Sequence, residues 1–378
     1  MKKSLLVAAL IAGFAGVAQA ETSVTLYGIV DAGIGYERVK GSIANDDGDL
    51  VDVDGKRTGL INGINSANRW GLKGTEDLGE GLQAIFVLEN GFDLGRGTAS
   101  QGNRMFGRQA TVGLKSDAWG QLEFGRQTNI ATKYLAGVVT PFGTDFGQAK
   151  SGTTFGALNS IRYDNLVMYQ TPSFSGFQLG VGYSFNTEGN QRFKTNGGEQ
   201  PNDRALTTGL RYANGPLAAG LTYDQIKVRE TLGGDFADEA GITVRSWNLG
   251  ASYNFEVVKV FAGFGQARNG WFGALETVDG SFDLDAGGYV PADGLKVNSY
   301  SLGLSAPVGA NGEIMASWGM ADPRSEDEAE KQQVYSLGYT YALSKRTNVY
   351  AIGSYAKHVA FQDDLKATLV GVGLRHKF

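Results

Sequence analysis

The sequence predicts an all-β chain, folded as a transmembrane antiparallel β-barrel of sixteen strands. Three observations carry this prediction. Apolar and small polar residues alternate along most of the chain, short and long connections follow one another in order, and glycine is abundant where proline is rare. Of 378 residues, 56 are glycine and 7 proline, about twice ordinary glycine usage. A collagen-like chain is excluded because proline is scarce and no G-x-y period appears. Disorder is excluded because 42% of the residues are hydrophobic and such a chain packs. The absence of cysteine removes disulfides, thiolate zinc sites and cysteine nucleophiles. With His358 and His376 as its whole histidine complement, the chain has little from which to build a metal centre or a hydrolytic triad.

The first element is a targeting segment. Met1-Lys2-Lys3 forms a basic start, Leu5 to Val17 an apolar stretch, and Ala18-Gln19-Ala20 a cleavage site of A-x-A form. Residues 1–20 therefore read as a signal peptide and 21–378 as one barrel domain. Cleavage removes two lysines and takes the net charge from −5 to −7, which argues against nucleic acid as a partner. No later stretch reaches 18 apolar residues, and a barrel needs none, because only alternate residues of its strands face lipid.

From Ser23 the period is two. Val24, Leu26, Val30, Ala32, Ile34 and Tyr36 fall on one side; Thr25, Asp31, Gly33 and Gly35 fall on the other. The same alternation predicts strands near 22–37, 65–76, 81–92, 104–116, 120–128, 160–171, 176–186, 204–213, 216–228, 243–256, 258–268, 296–306, 312–321, 332–343, 347–358 and 364–378. Most are long enough for a tilted transmembrane strand. Short turns such as Asn214-Gly215 alternate with long polar connections at 38–64, 93–103, 129–159, 187–203, 229–242, 269–295 and 322–331. That sorting of connections to two ends suits a membrane barrel; a soluble sandwich has no reason for it. The second strand face is glycine, serine, threonine and asparagine rather than dense charge, as a water-filled lumen requires. Glycine pairs such as Gly33/Gly35, Gly180/Gly182, Gly263/Gly265 and Gly371/Gly373 lie on that face and are expected to leave the pore open.

Charged positions of lumenal parity are the candidate functional residues. Arg69 and Lys73 oppose Trp70 and Leu72, while Arg162, Asp164 and Gln170 oppose Tyr163, Val167 and Tyr169. Arg108 lies in a strand that alternates weakly. Arg126 has the parity of Leu122 and Phe124, pointing outward, where a subunit contact would use it. Each arginine alone also reads as a solvated charge or a structural ion pair. Rings of Arg or Lys in a narrow pore favour anions. The connection 129–159 carries Pro141-Phe142-Gly143, Asp145, Phe146-Gly147 and Phe155-Gly156, a glycine-aromatic mixture suited to a compact loop. Acidic clusters at Asp46, Asp47, Asp49, Asp52 and Asp54, at Asp235, Asp238 and Glu239, and at Glu326, Asp327, Glu328 and Glu330 read as soluble surface, or as sites for divalent cations that bridge lipopolysaccharide. The chain ends on Phe378, on the face of Val370, Val372 and Leu374. A terminal aromatic there suits recognition by barrel assembly machinery.

Several ordered motifs resemble one family. Ser23-Val24-Thr25-Leu26-Tyr27-Gly28-Ile29-Val30-Asp31-Ala32-Gly33 resembles the opening strand of the beta-proteobacterial trimeric general porins of the Bordetella type. Gly71-Leu72-Lys73-Gly74-Thr75-Glu76-Asp77-Leu78-Gly79 is similar to their second strand. Phe106-Gly107-Arg108-Gln109-Ala110, Phe124-Gly125-Arg126-Gln127 and Val372-Gly373-Leu374-Arg375-His376-Lys377-Phe378 follow the same pattern. The resemblance implies a homotrimer in the outer membrane and a third loop, 129–159, folded inward to constrict each pore. It implies that Arg69, Arg108 and Arg162 are constriction arginines and that Arg126 lies at the trimer interface. Where many porins carry Pro-Glu-Phe-Gly in that loop, this chain has Pro141-Phe142-Gly143, with Asp145 as the nearest substitute acid. The expected function is passive diffusion of small hydrophilic solutes with a mild preference for anions, without cofactor. A barrel enzyme is disfavoured by the lack of G-x-S-x-G, and a solute-specific channel by the outward parity of most aromatics.

Overall fold

The computed structural model describes residues 23–44, 50–198, 201–229, 241–278, 281–324 and 329–378. The expected signal peptide lies outside them, as do Asp46, Asp47, Asp49, Asp235, Asp238, Glu239, Glu326, Asp327 and Glu328. In chain order the strands are β1 (Ser23–Ala44), β2 (Leu50–Asn62), β3 (Arg69–Gly79), β4 (Leu82–Gly91), β5 (Gln109–Ser116), β6 (Gly120–Thr128), β7 (Arg162–Gln170), β8 (Phe177–Ser184) and β9 (Arg204–Asn214). They continue as β10 (Leu217–Lys227), β11 (Thr243–Asn254), β12 (Lys259–Val278), β13 (Ser281–Val308), β14 (Gly312–Pro323), β15 (Gln332–Ala342), β16 (Thr347–Lys357) and β17 (Lys366–Lys377). Helix α1 (Ile130–Val139) follows β6.

All neighbouring strands pair antiparallel, and β1 pairs with β17 from Ile29↔Lys377 to Lys40↔Lys366, which closes the sheet. On its other side β1 pairs with β3 over Ser23–Ile29 and with β2 over Ala32–Ala44. β2 and β3 are thus two halves of one stave, broken at residues 63–68, and the wall has sixteen staves. Among the described strands, each of the staves from β3 round to β1 is paired on both sides, which spares a bilayer an unpaired edge, while β2 pairs with β1 alone.

Two connections expected as loops are strands instead. Residues 38–64 hold the end of β1 and all of β2, and residues 269–295 hold the ends of β12 and β13. These segments mix apolar residues with aspartates and glycines in no regular order, so they lose the alternation that makes a spanning strand legible. Cross-strand ion pairs hold the first extension: Arg38–Asp54 at 2.8 Å, and Arg57–Glu37. The short turns behave as expected. At Glu80-Gly81 both residues have positive φ, 52° and 75°, the geometry that matches the twist of a tight hairpin.

The predicted apolar face is the exposed one. Val24, Leu26 and Ile34 are 62, 58 and 65% exposed, and Leu179, Leu249, Leu302, Leu337 and Val372 follow the same rule. In water such a continuous belt would cost roughly 25 cal/mol per Å²; facing hydrocarbon it costs little.

The opposite face does not behave as expected. A Cβ at any of Gly33, Gly35, Gly180, Gly182, Gly263, Gly265, Gly371 or Gly373 would come within 3.0 Å of another atom. These glycines are not open space: many are seats for side chains that cross them. Ile130 and Tyr134 of α1 lie on Gly180 of β8; Leu135 lies on Gly220 of β10; Val139 lies on Gly250 and Gly263 of β11 and β12. Further along, Pro141 meets Gly303 of β13, Thr154 meets Gly319 of β14, and Phe142 meets Gly338 of β15. Ile130, Leu135 and Val139 are fully buried, which stabilises the contact by about 1.5–3 kcal/mol apiece. Part of the glycine excess is therefore a bed, made by removing side chains where another segment must lie close, and another part serves turns with positive φ.

Candidate functional site

The break between β2 and β3 positions the first charged group. Asp31, fully buried on β1, accepts hydrogen bonds from the backbone N–H of Asn65 (3.4 Å) and Ser66 (3.0 Å) and from the Tyr350 hydroxyl (2.6 Å). Asn68 completes the knot, donating to the Asp31 carbonyl at 3.0 Å. A buried carboxylate with this many donors is satisfied, and it fixes the entry into β3. Arg69 begins that strand, its Nε donating to the Ala67 carbonyl at 3.1 Å.

Arg69, Arg108 and Arg162 are brought into one charge cluster. Arg162 stands within electrostatic range of Arg108, Arg126, Glu89 and Arg69, and its Nε is buried with no hydrogen-bond partner among the described residues. Glu89 on β4 is the counter-charge that the sequence reading missed. It accepts Arg108 Nε at 2.6 Å and the Tyr27 hydroxyl at 2.9 Å. Lys73 Nζ lies 5.5 Å from the centre of the same Tyr27 ring. Glu89 pairs with Gly71 across the sheet, so its lumenal parity was available from the pattern; only the attention to cations hid it.

The connection after β6 approaches this cluster from the other side. Phe142, 2% exposed, packs with Phe146, Ile64 and Tyr350, and Pro141 rests on the wall as described. Gly143 has a φ of 58°, a conformation that favours glycine, and its carbonyl accepts from the Ser151 N–H at 2.8 Å. The Phe146 N–H donates to the Asn65 carbonyl at 2.9 Å, tying the loop to the break. Asp145 then sits 3.6 Å from Arg375 Nη1 and within electrostatic range of Arg69. Burial holds the Asp145 carboxyl above the usual carboxylate range, against the pull of Arg375 and Arg69. Arg375 also donates to Asn65, Ser66 and Asn348 at 2.8–2.9 Å. Lys133 of α1 adds a cation near β6: Nζ donates to Gln127 Oε1 at 2.6 Å, and burial pushes its ammonium pKa down, with Glu123 acting against that.

A pH effect follows from Asp145. Its raised pKa means protonation begins above the roughly 3.9 of a free aspartate. Acidification then removes a negative charge opposite Arg69 and Arg375 while every arginine stays charged. The chloride-to-potassium permeability ratio should rise as pH falls through that range, and Asp145→Asn should flatten the rise. Reversal potentials at a series of pH values measure it; an identical slope in Asp145→Asn would discard the assignment.

Arg126 and Asp164, expected on opposite faces, are bonded to each other: Arg126 Nη1 to Asp164 Oδ1 is 2.7 Å, and Arg104 Nη1 to Asp164 Oδ2 is 2.8 Å. Arg126 Nε also donates to the Gly107 carbonyl at 2.8 Å. The pairing of β6 with β7 shifts register between Gly125 and Gln127, with Gly125 at φ 126° and Asn165 at φ 49°. Such a bulge inserts residues and resets the alternation beyond it. For the same reason Tyr163, expected outward, is 1% exposed in the cluster that holds α1. Phe378 is where its parity placed it, 44% exposed, and its backbone exchanges two 3.1 Å hydrogen bonds with Gly28.

A closed wall, apolar outside and lined inside with charged and small polar groups, defines a water-filled channel of the bacterial outer membrane. The chain belongs to the Gram-negative porin family, whose match extends over residues 7–359. It is 53% identical to an outer membrane porin protein of Bordetella pertussis over 391 aligned residues, and 36% identical to outer membrane porin protein 32 of Delftia acidovorans over 398, in both cases across all of this chain and all of the relative. Among solved structures, the anion-selective porin from Comamonas acidovorans matches with a TM-score of 0.69 at 30% identity, covering 95% of this chain and 100% of that one. The protein is an outer-membrane general diffusion porin.

Proposed function

We propose that residues 129–159 fold inward to narrow the channel and that Arg69, Arg108 and Arg162, with Lys73, bias the narrowed path toward anions. One observation carries this reading. The segment packs against strands β7 to β17 and reaches β6 through Lys133, while Arg69 and Arg108 stand on the sector from β3 to β5 away from those contacts, with Arg162 at its edge on β7. Solutes then pass between a cationic wall and a loop whose acid at this point is Asp145. Opposite charges only a few ångströms away interact strongly in a partly desolvated passage, whereas at 0.1 M salt the field dies within about 10 Å. Selectivity therefore depends on the constriction being narrow. The description of the Comamonas relative as anion-selective supports the sign.

We infer further that the barrel works as a homotrimer, as the resemblance implies, with the sector of β5 and β6 as the contact. Met105, Val112 and Phe124 are exposed there beside the Arg104–Asp164–Arg126 cluster, which would brace the contact from within one subunit. Reversal potentials of the purified protein across a potassium chloride gradient test the anion preference. A potential of the chloride sign is expected, and clear cation preference would overturn it.

A further inference from the structure

The short-turn end of the barrel, periplasmic in this architecture, holds a cavity of about 570 Å³. At about 30 Å³ per water, that is room for a small ion with much of its hydration shell. Its wall comes from the turns that follow β11, β13 and β15 and from the end of β17. Lys259, Lys345, Arg346, Arg375 and Lys377 all line it. The acids there are Glu256 and Glu313. Lys259 pairs across the sheet with Ser305, Glu313 with Pro307, and Arg375 with Asn348. Ser305 is buried on the face opposite the exposed Leu304, so the cavity opens on the lumenal side.

Two features separate this cavity from an ordinary charged rim. Neither glutamate forms an ion pair with any of the cations, and Lys259, Lys345, Arg346 and Lys377 have no ion-pair partner among the described residues. Four of the five cations are therefore without an ion-pair partner among the described residues, and Arg375 is paired with Asp145. The donors are also held in place. The Ser344 hydroxyl accepts from the N–H groups of Arg346 and Thr347 at 3.2 and 3.1 Å, which fixes the turn that carries Lys345 and Arg346. Asn348 Oδ1 accepts from Arg375 Nε at 2.9 Å, which commits the amide oxygen and leaves Asn348 Nδ2 without an acceptor among the described residues.

We propose that this cavity is a binding site for small multivalent oxyanions of the phosphate type, placed on the periplasmic side of the channel. Arg346 presents a planar donor fork suited to such oxygens, and Lys259, Lys345 and Lys377 supply point charges around it, while Arg375 is engaged by Asn348, Asn65, Ser66 and Asp145. A monovalent chloride engages one cation at a time and gains little; an ion with several charged oxygens engages several together. The cavity touches the constriction cluster only through Arg375, and its other cations lie outside that cluster.

Titration calorimetry of the full-length barrel in detergent, with inorganic pyrophosphate at low ionic strength, tests the proposal. Saturable binding at one ion per barrel is expected. The double variant Lys345→Glu/Arg346→Glu, on an exposed turn, should weaken it at least tenfold, by the arithmetic of a two-charge reversal. Lys259→Gln provides a second, milder variant, and the heat-dependent electrophoretic shift of a folded barrel controls for assembly. Arg69→Gln should leave the affinity within a factor of two. Absence of saturable binding overturns the site, and so does an affinity that the turn variant does not change. Loss of binding in Arg69→Gln instead would move the anion to the constriction. Equal weakening by all variants would mean a diffuse field without a site.

Discussion

Arg69→Glu should turn the channel toward cations. A unit charge 5 Å from a passing ion contributes about 0.8 kcal/mol even at the dielectric constant of water. Replacing +1 by −1 doubles that, to about 1.7 kcal/mol, and acts in opposite directions on potassium and chloride. Salt screening reduces the effect, yet a several-fold fall in the chloride-to-potassium permeability ratio should survive at 0.1 M. The substitution also sets a carboxylate near Glu89, which leaves Arg108 between two acids and removes more of the cationic field. Arg69→Gln should give about half the shift. An unchanged reversal potential in Arg69→Glu would take Arg69 out of the conducting path, whatever its place in the cluster.

Filling the glycine bed should open the pore. Gly250→Leu drives a side chain into the position of Val139, and Gly180→Leu places a Cβ 2.6 Å from Ile130 Cδ1. Overpacking of this kind costs about 1–3 kcal/mol per site, comparable with what each buried residue of α1 contributes. The double variant should lift α1 from the wall while the strands, whose backbone bonds are untouched, stay closed. Single-channel conductance should rise, and trypsin should cut the folded barrel at Lys133 or Lys150, which are largely shielded in the parent. Unaltered conductance together with an unaltered digest would show that the segment does not bound the path.

The wall was legible in the sequence because each spanning strand has only two environments, lipid and lumen, and alternation reports both. The legibility failed where a third environment entered. In β2 and in the parts of β12 and β13 within 269–295, apolar residues, aspartates and glycines follow no period of two, so residues 38–64 and 269–295 looked like loops. At the bulge between β6 and β7 the parity reset, and Tyr163 and Asp164 were assigned the wrong way round. The glycines were placed on the correct face but expected to border open space, since a period of two says nothing about which other segment packs on that face. The charged cluster was partly visible. Arg69, Arg108 and Arg162 announce themselves as cations, whereas Glu89 and Arg375 matter through partners brought together only by closure. Arg375 and Ser66 are 309 positions apart in sequence and joined by a 2.8 Å hydrogen bond.

The seam between β1 and β17 sets a timetable for folding. Every other stave lies beside the next one in the sequence and finds it across a single connection, short or long, which is entropically cheaper. The seam instead joins Ile29–Lys40 to Lys366–Lys377, from opposite ends of the sheet, and Phe378 extends it by exchanging two backbone hydrogen bonds with Gly28. Its aromatic ring occupies the space that a Cβ at Gly28 would fill. Until β1 and β17 pair, the sheet keeps two open edges, and joining them closes the longest loop of the wall.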